Sequence, residues 1–119
     1  MLPYAAYKVV HYLGIFILVT ALSATLARSA KEGLNSDPWR KRLGMIHGIA
    51  LFLIILGGFG MLARLDVGFP SWIMAKLGIW LVFAGLIAAR KSTEWSVRAL
   101  VLVPLMAALA GWIAFVKPF

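Results

Sequence analysis

The chain has 119 residues, of which 63% are hydrophobic and 13% are charged, and its formal net charge is +8. A bilayer core takes roughly 20 apolar residues per helical span, so four spans would use about 80 residues and leave no room for a second domain. Because the chain has no cysteine, disulfides, iron–sulfur clusters, thiolate metal sites and covalent haem attachment are excluded.

Four long apolar stretches predict one all-α domain over residues 1–119, a four-helix transmembrane bundle. The predicted spans cover about residues 4–27, 43–65, 72–89 and 97–116. Asp37 and Pro38 are typical of a helix start and predict the cap of span two, and Ser71 is the predicted cap of span three.

The charges of the loops predict how the bundle is oriented. Basic residues are concentrated in the loops after spans one and three, whereas only Arg64 lies near the link after span two. By the positive-inside rule, both termini then face outward, on the periplasmic side of a Gram-negative bacterium. We expect a multi-pass protein of the bacterial inner (cytoplasmic) membrane whose basic residues meet lipid head groups and not nucleic acid.

Two ionisable side chains fall within predicted spans and are functional candidates by default. His11 lies in span one and Lys76 in span three. Residues 13–16 (LGIF) echo residues 77–80 (LGIW), and this alignment predicts that His11 and Lys76 lie at a similar depth near the outer face. A His11 that only hydrogen-bonds a neighbouring helix and a Lys76 that reaches the head groups fit the sequence equally well.

A neutral imidazole is a good ligand for iron, and a neutral amine can also bind a metal. Gly14 lies one turn after His11 and would leave room for a flat group, and Trp80 would pack against the edge of that group or in the core. His47 is predicted roughly 15 Å from the level of His11, so the two histidines cannot share one iron. His47 is therefore expected to make a structural or partner contact.

Small residues in the spans predict where helices approach each other closely. Gly44 and Gly48 form such a pair in span two. The corresponding stripe on span three consists of Ala75, Gly78, Val82, Gly85 and Ala89.

Four short motifs, in their order and spacing, resemble those of the SirB-like four-span bacterial membrane proteins. They are KVVH at 8–11, RLGMIH at 42–47, WIMAK at 72–76 and RAL at 98–100. The HemJ-type protoporphyrinogen oxidases are more distantly similar, and their proposed haem ligands correspond to His11 and Lys76. Met74 stands where HemJ-type proteins usually have a histidine, so the resemblance carries over the ligand pair and not the oxidase activity.

The resemblance implies a small b-type haem protein that transfers electrons or supports a haem-linked redox step. His11 and Lys76 would be the axial ligands of haem b, and Gly14 and Trp80 would shape the pocket. No catalytic residue is identified, and the sequence leaves open whether the protein is an enzyme. The alternative is a non-catalytic accessory subunit that fills a helix interface in a larger membrane complex or in a homo-oligomer.

Overall fold

The computed structural model describes residues 3–32, 38–66 and 68–117, and over these ranges the chain is helical without any strand. The elements are α1 (Tyr4–Glu32), α2 (Arg40–Leu65), α3 (Ser71–Leu86), a 3₁₀ turn (Ile87–Lys91) and α4 (Thr93–Val116). The four helices, with the 3₁₀ turn counted as part of the third, are each long and apolar enough to cross a membrane. The predicted all-α, four-helix fold class is confirmed.

The helix boundaries differ from the predicted spans at several places. Helix α1 continues to Glu32, well beyond the predicted end of span one. The prediction that Ser71 caps α3 is wrong, because Ser71 is already helical and Pro70 precedes it without a side-chain cap. The predicted loop before span four contains the 3₁₀ turn, and the hydroxyl of Ser92 caps α4 by accepting a hydrogen bond from the Trp95 N–H at 3.4 Å. The predicted cap Asp37 lies outside the described residues, and the prediction that Pro38 begins span two is wrong, because Pro38 lies in a turn and Trp39 is at the N-cap position of α2.

Helix α1 is the most buried helix because it lies between α2 and α4. Helix α3 packs against α4 and more loosely against α2, so α1 and α3 lie diagonally across the bundle. The core formed in this way includes Leu18, Leu22, Leu26, Ile79, Phe83, Ala99 and Val103. Two ends can be distinguished: the terminal end, where α1 begins and α4 ends, and the loop end, where α2 and α4 begin.

The close contact between α1 and α2 depends on glycines of α2. A Cβ atom added to Gly57 would lie 2.6 Å from the backbone nitrogen of His11, and one added to Gly60 would lie 2.1 Å from the ring of Tyr7. A larger residue at Gly57 would have to move the backbone of α1, and one at Gly60 would have to displace the Tyr7 ring, because both distances are well below van der Waals contact.

The small-residue stripe predicted on span three is divided: Ala75 and Ala89 pack against the core, whereas its glycines do not. Gly78 and Gly85 are exposed, and a Cβ added to either would meet nothing within 4 Å. Gly48 on α2 is equally open. These three glycines therefore make no helix contact with the described residues, whereas Gly14 of α1 and Gly57 and Gly60 of α2 do.

Candidate functional site

His11 of α1 is buried against α2, with only 6% of its surface exposed. Its Nδ1 atom lies 2.8 Å from the carbonyl oxygen of Ile54. A carbonyl can only accept a hydrogen bond, so Nδ1 carries the hydrogen and the neutral ring keeps its lone pair on Nε2. None of the described residues hydrogen-bonds to Nε2.

The carbonyl of Ile54 is reachable because the residue one turn later is Gly58. A Cβ added to Gly58 would lie 3.5 Å from both Nδ1 and Cε1 of the His11 ring. That is ordinary van der Waals contact, but the further atoms of a larger side chain would compete with the imidazole for this space. Gly57 and Gly58 together therefore bring the backbone of α1 and the ring of His11 onto the face of α2.

Two hydrogen bonds fix the register of α3 against α2. The indole Nε1 of Trp80 donates to the Leu51 carbonyl at 3.1 Å, and Nε2 of His47 lies 3.1 Å from the Phe83 carbonyl. A step of three residues along α3 thus matches a step of four residues backward along α2, as expected for antiparallel helices.

This register gives the level of Lys76. Lys76 lies one turn before Trp80 on α3. Because the two helices are antiparallel, Lys76 is level with the residue one turn after Leu51 on α2, which is Ile55. His11 is bonded to the adjacent Ile54, so His11 and Lys76 lie at the same level near the terminal end.

The side chain of Lys76 is half-buried and lies near an aromatic residue. Its Nζ atom is 6.0 Å from the centre of the Trp72 ring, and the Nζ of Lys117 is 5.2 Å from the same ring. Both distances fall within the range of cation–π attraction. The amine therefore points along its own helix toward the terminal end, as a snorkelling lysine does, and would have to change its rotamer to reach His11.

Gly14 lies where α1 and α2 meet. A Cβ added to Gly14 would lie 2.9 Å from the backbone nitrogen of Ile54 and 3.0 Å from the Cβ of Leu53. The room that the sequence analysis assigned to a flat group is thus filled by α2. In this structure Gly14 serves the contact between two helices, and any flat ligand of His11 would have to lie on another side of the ring.

Trp80 and His47 are both used to join α2 to α3. The described helices α2 and α3 make few direct backbone contacts, so these two side chains bridge the gap between them. The hydrogen bond from Trp80 to the Leu51 carbonyl holds the indole against α2. The expectation that His47 makes a structural contact agrees with its 3% exposure and with its bond to Phe83.

The Phe83 carbonyl, which accepts from His47, lies in the last turn of α3, just before the 3₁₀ turn. In a continued α-helix this carbonyl would bind the N–H of Ile87. The N–H of Ile87, where the chain enters the 3₁₀ turn, instead points to the Gly85 carbonyl. A buried carbonyl without a partner is costly, and the imidazole N–H of His47 supplies one.

The two histidines belong to different parts of the bundle. His11 lies against Gly57, which follows His47 by ten residues, or about 15 Å of helix rise. They therefore cannot bind one iron atom together. Among the described residues, no group of three or more His, Cys, Asp or Glu side chains is arranged to hold a metal ion.

The sequence analysis missed the groups on α2 that define this site. The Ile54 carbonyl is a backbone atom and gives no sequence signal. Gly57, Gly58 and Gly60 do form a visible cluster, LGGFG at 56–60, whose spacing indicates a helix contact. Comparisons with protein-family models, curated proteins and solved structures found no match.

Proposed function

We propose that this chain is an integral membrane protein that binds haem b through His11, with Lys76 as the second axial ligand. It would transfer electrons or support a haem-linked redox step in the bacterial inner membrane, with both termini outside. Four apolar helices support the membrane assignment, as do the many large apolar side chains on the outside of the bundle. The motifs that resemble SirB-like and HemJ-type proteins support the ligand pair.

The observation that carries this proposal is the hydrogen bond from Nδ1 of His11 to the Ile54 carbonyl. Histidines that bind metals usually donate their other ring N–H to a carbonyl or carboxylate, which fixes the tautomer and the ring orientation. His11 meets this requirement, whereas His47 uses its Nε2 for a hydrogen bond between helices. The donor chemistry at His11 therefore fits a haem ligand.

A haem held by His11 would lie on the α3 side of the ring, because α2 covers the side of Gly14. The backbones of α1 and α3 come close at few places, and the two helices meet through core side chains such as Leu18 and Ile79. Lys76 is at the matching level on α3, and its long side chain can turn from Trp72 toward the bundle axis. Bound haem supplies reversible one-electron chemistry. His11 would orient it, and the apolar helices would exclude water.

The test is an optical spectrum of the purified protein after expression with ample haem. We expect a Soret band in the wild type, loss of the band in His11→Ala, and retention of the band in His47→Gln. Gln can still donate to the Phe83 carbonyl, so this control variant keeps the bridge between α2 and α3. A wild type without haem, or full haem retention in His11→Ala, would contradict the proposal.

A second candidate is a non-catalytic accessory subunit or a homo-oligomer, and the outward face of α3 favours it. Gly78 and Gly85 are exposed, Val82 is 41% exposed, and all three lie on one stripe. Such a stripe lets another helix approach closely in lipid. Absence of haem, together with an oligomer that Gly78→Leu and Gly85→Leu dissociate, would support this function instead.

A further inference from the structure

A second feature lies at the loop end of the bundle, about 25 Å of helix rise from His11 when counted from Arg40 to Gly57. A cavity of about 600 Å³ opens there between the start of α2 and the 3₁₀ turn. Its walls include Arg40, Lys41 and Arg90. No acidic side chain lines it among the described residues. Three positive charges thus surround one space without a described counter-charge.

Arg90 is held in place by α1 and α2. The hydroxyl of Ser29 on α1 donates to the Arg90 carbonyl, and Nη1 of Arg90 donates to the Arg40 carbonyl at 3.1 Å. Gly44 allows this arrangement, because even a Cβ there would lie only 3.4 Å from Nη1. The guanidinium therefore lies over the first turn of α2, where Arg90 lines the cavity.

Arg40 adds a second observation that points to a ligand. Its Nε atom is buried and has no hydrogen-bond partner among the described residues. Buried polar groups are nearly always paired, so an orphaned guanidinium N–H indicates a missing acceptor. The first turn of α2 has no acidic residue and no side-chain cap, so its backbone N–H groups add to the positive potential.

Glu94, Arg98 and Arg42, which also lie at this end, have partners of their own. Glu94 forms an ion pair with Arg98 at 2.7 Å, and the Arg42 guanidinium lies 5.2 Å from the centre of the Trp39 ring. Glu94 is thus not the missing acceptor of Arg40.

We propose that the cavity between Arg40 and Arg90 binds a phosphate group. Guanidinium groups present paired N–H donors that match phosphate oxygens, and a helix N-terminus adds backbone donors. Lys41 contributes a point charge at the rim of the cavity. The phosphate belongs to an anionic phospholipid or is dissolved phosphate, since both present the same oxygens to these groups. This site is independent of the haem proposal.

The test measures ligand retention by the purified full chain in detergent. Native mass spectrometry compares phosphatidylglycerol with phosphatidylcholine, and calorimetry measures inorganic phosphate. We expect the wild type to retain phosphatidylglycerol preferentially or to bind phosphate. Arg90→Gln should weaken that binding about tenfold, because a charge-assisted hydrogen bond is lost. Arg98→Gln is the matched control at the same end of the bundle and should leave the binding unchanged.

The two sources of phosphate give different results, and either supports the site. If the wild type retains lipid but does not bind phosphate, and Arg90→Gln weakens the retention, the ligand is a lipid head group. If the wild type binds phosphate without a lipid preference, and Arg90→Gln weakens that binding, the ligand is a soluble anion. Lys41→Gln is the second variant, for use if Arg90→Gln misfolds. Because Lys41 is exposed, its substitution should not disturb the fold, and it should weaken binding of the ligand about fivefold. Binding of neither ligand by the wild type, or an equal loss in Arg98→Gln, overturns the proposal.

Discussion

Nδ1 of His11 on α1 donates a hydrogen bond to the carbonyl of Ile54 on α2, at 2.8 Å. This one contact fixes the tautomer of the imidazole and leaves Nε2 with the free lone pair. It also sets the depth of His11 in the bundle. The same level on α3, counted from the bond between Trp80 and Leu51, is that of Lys76.

We predict that Gly57→Ala destabilises the bundle and that Gly48→Ala does not. The new methyl group at Gly57 would meet the backbone of His11 at 2.6 Å, while at Gly48 it would meet nothing within 4 Å. Overpacking of this kind costs about 1–3 kcal/mol of unfolding free energy. Thermal or denaturant unfolding in the same detergent measures the difference. Equal stability of the two variants would show that α1 and α2 are not in the contact described here.

If haem is bound, Lys76→Met should retain it but shift its spectrum and raise its reduction potential. A thioether is a weaker donor than an amine and favours the ferrous state. Redox titration followed at the Soret band measures this shift. Lys8→Met is a suitable control, because the Lys8 amine lies near Tyr12 on α1 itself. A spectrum and potential unchanged in Lys76→Met would remove Lys76 as the second ligand.

We predict that His47→Ala lowers stability while leaving any haem spectrum unchanged. Alanine leaves the Phe83 carbonyl buried without the partner that His47 provides, which costs about 1–3 kcal/mol. His47→Gln should recover much of this loss, because its amide can donate to the same carbonyl. Unfolding curves of the three proteins, recorded beside their spectra, separate stability from ligand binding. A haem spectrum altered in His47→Gln would mean that His47 acts on the cofactor.

Membrane orientation can be tested by cysteine labelling, because the chain has no cysteine of its own. Single cysteines at Ser36 and Lys91 should be labelled only from the cytoplasm, and one at Phe69 only from outside. Lys91 is a better labelling position than Ser92, because the Ser92 hydroxyl caps α4. Phe69 is a better position than Gly68, because the Gly68 φ of 74° favours glycine. The opposite labelling pattern would reverse the proposed topology.

The sequence predicts the number, order and approximate extent of the helices. This succeeds because apolar stretches of about 20 residues, separated by short polar segments, leave few alternatives to a membrane helix. It also predicts that His11 and His47 lie at different depths in the membrane, because the helix rise places them far apart along the bundle axis. The internal echo further predicts that His11 and Lys76 share a level, and the register of α3 against α2 agrees.

The sequence does not determine which helix faces meet. Helices that are apolar on all sides carry little amphipathic signal, so a small residue at an interface and one facing lipid look the same in the sequence. Only the tertiary structure separates Gly57, which touches His11, from Gly78, which faces outward. Likewise, the Ile54 and Phe83 carbonyls became partners of the two histidines only when the helices packed, because every residue carries a backbone carbonyl.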